Sequence, residues 1–397
     1  MSSTVSFIIA CVLLETLQFL AALPWLLAID LRARTRWRQP ASWGKAALVL
    51  LGIGIGSGLI LDANSGTALL RGLGRLYMSV LHLQLAADFL VLCFFLLLKF
   101  WPKGGAVALS AFREGVRQPM FWLLAVAALF FMLISPVVPY FTFGEDLKMV
   151  IELCYAFTMM APALFGVVAA SMSVSEEIEG RTAITVMSKP ISRRQFLLGK
   201  FLGILSAALL MTFILGWVLI WISVFGRGYV RLPAQPEFPD PAWVVDAAQT
   251  WFPESSLADL ALGMGLWFDD VQMSTPGLVI GFCQVMVLLA IAVALATRLP
   301  MVVNFPICML VYFLGHLTPI LTEVSRNNRL VYFVAQLFDN LLPGLDLFDV
   351  GTAVVRETPL PLGEYALYTL NVSVYAVIYA SIALLFGLIL FEDRDLA

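Results

Sequence analysis

The sequence predicts an all-α, polytopic membrane helix bundle, and three observations carry that prediction. Of its 397 residues 61% are hydrophobic and only 13% charged, with a mean hydropathy of +0.92, a balance foreign to water-soluble globules. Apolar runs of about twenty residues recur, each long enough to cross a hydrocarbon core as a helix. The runs do not alternate polar and apolar residues, which excludes barrel strands and leaves helices to satisfy the backbone in lipid.

Taken in order, the runs place nine spans at 5–29, 45–61, 77–101, 119–142, 148–172, 197–224, 276–297, 301–320 and 365–391. No basic residue precedes the first run, which is too long for the apolar part of a cleaved signal, so it reads as a retained helix. Glu15 and Asp88 fall near the middle of the first and third spans. A carboxylate at that depth is costly, so each must face protein or water. They are the intramembrane polar candidates, either lining a polar path or hydrogen-bonded within the bundle. Gly52, Gly54, Gly56 and Gly58 in the second span favour close helix packing.

After Trp101 and Pro102 the segment 104–118 sets Leu109, Phe112 and Val116 against Arg113, Glu114, Arg117 and Gln118. That spacing predicts an amphipathic interfacial helix on the membrane surface. A dense polar island follows the fifth span. Glu176, Glu177, Glu179 and Arg181 lie within six residues, followed by Lys189, Arg193, Arg194 and Lys200. Gly180 should break the outgoing helix, residues 182–188 can form a short surface helix, and Pro190 should stop it. Ser192 with Gln195 reads as a capping box for the next span. Beyond that span, the external segment 225–275 carries five prolines and helix-like pieces at 243–250 and 255–266, with Trp243, Trp251 and Trp267 suited to a lipid–water boundary. The turn Arg298-Leu299-Pro300 joins two spans, and 330–342 is a further amphipathic candidate.

Lys and Arg fix the expected orientation. Sixteen of the 24 fall on the side holding 172–200 and the C-terminus, which predicts N-out, C-in and a cytoplasmic polar island.

Several chemistries are missing. There is no GxxxxGK[ST] phosphate loop, so the chain has no P-loop of its own for ATP, and there is no HExxH or GxSxG. His82 and His316 have no acid or thiol partner in sequence. The five cysteines, Cys11, Cys93, Cys154, Cys283 and Cys308, all lie in apolar runs without CxxC spacing, as small hydrophobic residues do. No metal or catalytic site is predicted. Basic patches interleaved with aromatics are absent, which excludes nucleic acid as a partner.

The residues Glu176 to Thr182, Ser188-Lys189-Pro190-Ile191-Ser192-Arg193 and Leu198-Gly199-Lys200 resemble the coupling segment of ABC-2 type transporter permeases, with Arg181 interrupting the family's usual Gly-Thr pair. The likeness is greatest to the branch labelled for maturation of multi-copper enzymes. The resemblance implies a six-helix permease core over 104–397, with coupling segment 172–200, preceded by a three-helix membrane extension, 1–103. It implies an ATP-driven exporter subunit of the plasma (bacterial inner) membrane that binds no cofactor itself. ATP and Mg would be used by a separate ABC ATP-binding subunit. The other implied partners are a second permease subunit, identical or related, and membrane lipid.

The same resemblance assigns ATPase docking to Glu176, Glu177, Glu179, Arg181, Ile184, Met187, Pro190 and Arg193, with Arg113 and Arg117 on the interfacial helix as further contacts. For those two arginines a snorkelling anchor at lipid headgroups is the alternative. Two rivals of other classes remain open at this point. One is an intramembrane enzyme built on His82 or His316; the other is an ATPase-independent channel or secondary transporter built around Glu15 and Asp88.

Overall fold

The computed structural model describes residues 3–63, 66–138, 146–179, 191–228, 240–253, 256–324, 332–333, 336–337, 342–349 and 362–392. Every regular element among them is helical. In chain order they are α1 (Ser3–Ile29), α2 (Leu31–Trp37), α3 (Pro40–Ala63), α4 (Thr67–Phe100), α5 (Pro102–Arg117), α6 (Pro119–Ile134), α7 (Asp146–Glu179), α8 (Arg193–Gly228), α9 (Ala242–Trp251), α10 (Ser256–Ala296), α11 (Met301–Val324) and α12 (Leu362–Glu392). Short 3-10 turns occupy Ser135–Val137 and Leu345–Phe348.

Among the described residues eight helices are long and apolar enough to cross a membrane. The remaining expected span, 301–320, falls within α11, which is apolar over the described stretch Met301–Leu317. One expectation is corrected outright. The helix-like piece at 255–266 and the span at 276–297 are a single 41-residue helix, α10, with Pro276 inside it. Proline persists within membrane helices because surrounding groups can satisfy the carbonyl it frees.

The chain divides into two compact units: Met1–Phe95 with Ala234–Met273, and Leu96–Pro233 with Ser274–Ala397. The first unit thus takes in part of the segment that the sequence placed outside the membrane.

In the first unit α1 and α3 pack tightly because two of the four clustered glycines meet α1. A Cβ at Gly54 would lie 2.9 Å from the Cα of Val12, and one at Gly58 would lie 2.9 Å from the Cα of Ile8. Gly52 and Gly56 face open space, so the glycine run serves packing only at alternate members. Polar groups tie the helices together. Ser57 donates to Glu15 Oε1 at 2.9 Å, Gln18 donates to the Tyr77 carbonyl at 2.9 Å, and the Tyr77 hydroxyl donates to the Leu14 carbonyl at 2.7 Å. Asp88 hydrogen-bonds the backbone of Trp25, the residue after Pro24 in α1. Within the first unit Glu15 thus meets Ser57 and Asp88 meets the Trp25 backbone. In the same unit Arg71 on α4 pairs with Asp259 at 3.0 Å, and Trp243 on α9 donates to buried Asp269 at 3.0 Å.

In the second unit α7 and α8 form the centre, with α5 and α12 against α8 and with α6 and α11 against α7. Its buried layer includes Phe121, Phe165, Phe196, Met211, Leu215, Leu288 and Phe391. Phe121 and Phe165 meet edge to face, ring centroids 5.2 Å apart.

Candidate functional site

The site is the polar end of the second unit, where α7 is described to Glu179 and α8 starts at Arg193. Its centre is Lys200, about two turns into α8 and only 5% exposed. A buried ammonium must be matched by acceptors or it loses its charge. Three groups from two other helices meet that demand. Lys200 Nζ lies 2.6 Å from Glu177 Oε1 and 2.8 Å from Ser173 Oγ on α7, and 3.2 Å from Glu114 Oε2 on α5. One lysine thus joins three helices.

α5 can reach this position because its contact with α8 is made of small residues. A Cβ at Gly203 would lie 2.3 Å from the Ala108 carbonyl oxygen, and one at Gly199 would lie 2.9 Å from that of Gly104. Gly115 stands near Phe165 and Ala207. Contacts at 104 with 199, 108 with 203 and 115 with 207 advance together, so α5 runs alongside α8 in the same direction. The buried stripe of α5 is Gly104, Gly105, Ala108, Ala111 and Gly115. Leu109, Phe112 and Val116, the apolar set expected to rest on the membrane surface, are half-buried beside that stripe. Small residues allow backbones to approach closely, which outweighs the larger apolar area of the leucine face.

Four further residues fix the surroundings of Lys200. Between Ser173 and Glu177 on α7, the Ser175 hydroxyl points between two carbonyls of the α10–α11 turn, Leu299 at 2.9 Å and Ala296 at 3.3 Å. Fully buried Asn304 on α11 donates to Ser171 Oγ and to the Ala292 carbonyl, both at 2.9 Å. Arg193, the first residue of α8, donates to the carbonyls of Phe391 and Glu392 at 2.6 and 2.8 Å and lies over the Phe391 ring. Arg298 donates to the Leu390 carbonyl at 2.8 Å. Two arginines thus supply donors to the carbonyls of residues 390–392 in the last described turn of α12.

The expected capping box is present. Gln195 N–H donates to Ser192 Oγ at 3.3 Å, and Ser192 N–H donates to Gln195 Oε1 at 3.0 Å. α7 is described to Glu179, the residue before Gly180.

The predicted docking residues divide into three groups. Arg181, Ile184, Met187 and Pro190 lie outside the described residues, as do the side chains of Glu176 and Glu179. Glu177 and Arg193 are described, and both are engaged within the unit. Arg113 and Arg117 are exposed on α5. Of the candidate helix at 330–342 only residues 332–333, 336–337 and 342 are described.

Sequence reasoning named Lys200 only as part of the polar island and missed Glu114, Ser173, Ser175, Asn304 and Arg298 as members of the site. A signal existed for one of them. A lone lysine inside the apolar run after Gly199 requires a counter-charge. Nothing in the sequence says that its partner lies 86 residues earlier.

Among the described residues neither histidine meets an acid or a thiol. His316 Nδ1 faces the Tyr312 carbonyl at 2.9 Å and Nε2 faces Gln284 at 3.2 Å, while His82 lies beside the Trp267 ring, centroids 6.4 Å apart. All five cysteines are free thiols, and no group of three or more metal-ligating side chains occurs among the described residues.

Residues 116–235 match the family model ABC-2 family transporter protein. The match spans α6, α7, the 180–192 segment and α8, so it contains Ser173, Glu177, Arg193 and Lys200. It names the ABC-2 family without separating the branch linked to multi-copper enzymes. No curated protein matches the chain.

Proposed function

We propose that this chain is the membrane permease subunit of an ATP-driven ABC exporter, with ATP and Mg bound and hydrolysed by a separate ATP-binding chain. The ABC-2 match over 116–235 supports the transport class, and the absence of a P-loop leaves hydrolysis to a partner. The observation that carries the mechanism is Lys200, held between Glu177, Ser173 and Glu114. A push on the 180–192 segment from an ATPase moves helices only if the supports of that segment do not give. Here the supports are cross-linked by a buried charge, a hydroxyl on a turn and an arginine on a helix end. Displacement would therefore pass to α5, α7, α8, α11 and α12 as a unit.

In this reading Glu176, Glu179 and Arg181 supply polar docking contacts, Ile184 and Met187 fill an apolar groove on the ATPase, and Pro190 limits the surface helix. Glu177 and Arg193 hold the mount rather than the partner. The segment faces the cytoplasm, the chain resides in the plasma membrane, and a second permease subunit completes the path. The test is recovery of an ATP-binding chain with tagged full-length protein from detergent-solubilised membranes. Charge reversal of Glu176 and Glu179 together is expected to lower that recovery at least tenfold while membrane insertion is unchanged. Equal recovery from wild type and variant would refute the docking role.

A further inference from the structure

On the face of α5 turned away from α8 there is an open cleft of about 740 Å³, whose lining includes Leu98, Leu109, Ser110, Arg113, Arg117 and Pro119. Ser110, Arg113 and Arg117 follow one another at spacings of three and four, so they share one helical face. Both arginines are exposed. Glu114 also reaches the rim, but its carboxylate is paired with Lys200, which leaves the cleft with a net positive charge. One turn beyond Pro119, α6 presents Trp122, Leu123 and Val126 at 53%, 62% and 59% exposure, on a helix apolar enough to span a membrane. The cleft thus offers a hydroxyl and two guanidiniums and ends at a proline, and an exposed apolar strip follows one turn further along the chain.

We infer that this cleft binds the headgroup of an anionic phospholipid, with Arg113, Arg117 and Ser110 on the phosphate and the acyl chains lying along Trp122, Leu123 and Val126. Guanidinium suits this role because its planar fork matches phosphate oxygens. An acidic protein surface would satisfy the two arginines but would leave the adjoining apolar strip without a matching partner. A phospholipid satisfies both. The bound lipid would hold α5, and with it Glu114, at a fixed depth, so that membrane composition bears on the same helix that Lys200 fastens to α7 and α8.

The inference is independent of the ATPase, and its test uses the permease chain. Native mass spectrometry of the full-length protein would be titrated with phosphatidylglycerol and with phosphatidylcholine of identical acyl chains. Each basic side chain at a membrane surface contributes about fivefold to attraction for anionic lipid. Arg113→Gln with Arg117→Gln is therefore expected to weaken phosphatidylglycerol binding roughly thirtyfold, and that of phosphatidylcholine, whose choline cation offsets its phosphate, by much less. Arg113→Lys with Arg117→Lys, which keeps the charge, should retain most of the preference and control for folding. Three results would overturn the proposal. The Gln pair could bind phosphatidylglycerol like wild type. Millimolar inorganic phosphate could displace the lipid completely, which would make the cleft a free-anion site. Or the Gln pair could keep its lipid yet lose a co-purifying ATP-binding chain, which would make the two arginines a protein contact.

Discussion

Replacing Lys200 by Met keeps the aliphatic stem that fills the space between α5, α7 and α8 and removes only the ammonium. Three contacts go with it, to Glu177 at 2.6 Å, Ser173 at 2.8 Å and Glu114 at 3.2 Å. Deleting one partner of a buried ion pair costs about 3–5 kcal/mol, chiefly because the surviving charge is stranded. The two carboxylates here are unequal survivors. The side chain of Glu177 is 26% exposed and that of Glu114 44%, against 6% for Lys200. Glu114 can return to water at little cost and Glu177 in part, which lowers the expected loss to about 2–3 kcal/mol. The assay is reversible unfolding in mixed micelles, read on wild type, Lys200→Met, Glu177→Gln and the double variant. If stranding dominates, neutralising Glu177 in the Lys200→Met background should recover about 1–2 kcal/mol relative to additivity. Additivity within about 0.5 kcal/mol would show that the pair is not coupled, and the cross-linked mount would lose its basis.

Gly203→Ala should force α5 away from α8, because its Cβ would meet the Ala108 carbonyl at 2.3 Å. A loss of about 1–3 kcal/mol is expected, whereas Gly56→Ala, which faces open space, should be within about 0.5 kcal/mol of neutral; thermal unfolding compares them. Arg193→Gln removes the donors to the carbonyls of Phe391 and Glu392. Hydrogen exchange over 388–392 should quicken roughly tenfold, while the middle of α12 keeps its protection. Uniform loosening of α12 would show that Arg193 does more than hold its end.

The helices were legible because a bilayer imposes length and apolarity on anything that crosses it. Boundaries read less well where no residue forced them. The α10 helix runs through Pro276 because nothing between 266 and 276 offers a better stop than helical continuation, and α4 begins at Thr67, well before the apolar run marks it. The capping box at Ser192 and Gln195 was readable since both partners are three residues apart and bond locally. The lysine mount was not, because Glu114, Ser173 and Lys200 come from three helices and their meeting depends on the glycine contact of α5 with α8. Local rules reach one turn away; that contact is settled by packing between segments nearly a hundred residues apart. The same limit explains Glu177. Among four neighbouring charges, no feature of the sequence singled out Glu177 as a partner for Lys200.

The two arginines gathered on the final carbonyls of α12 have a practical corollary. Arg193 arrives from the start of α8 and Arg298 from the α10–α11 turn, so one helix end serves as a shared anchorage for two separate hairpins. A fluorescent protein or affinity handle fused immediately after Glu392 would crowd both guanidiniums at once. A spacer long enough to leave those carbonyls unobstructed would let the label report on the protein without prising apart the parts it is meant to observe.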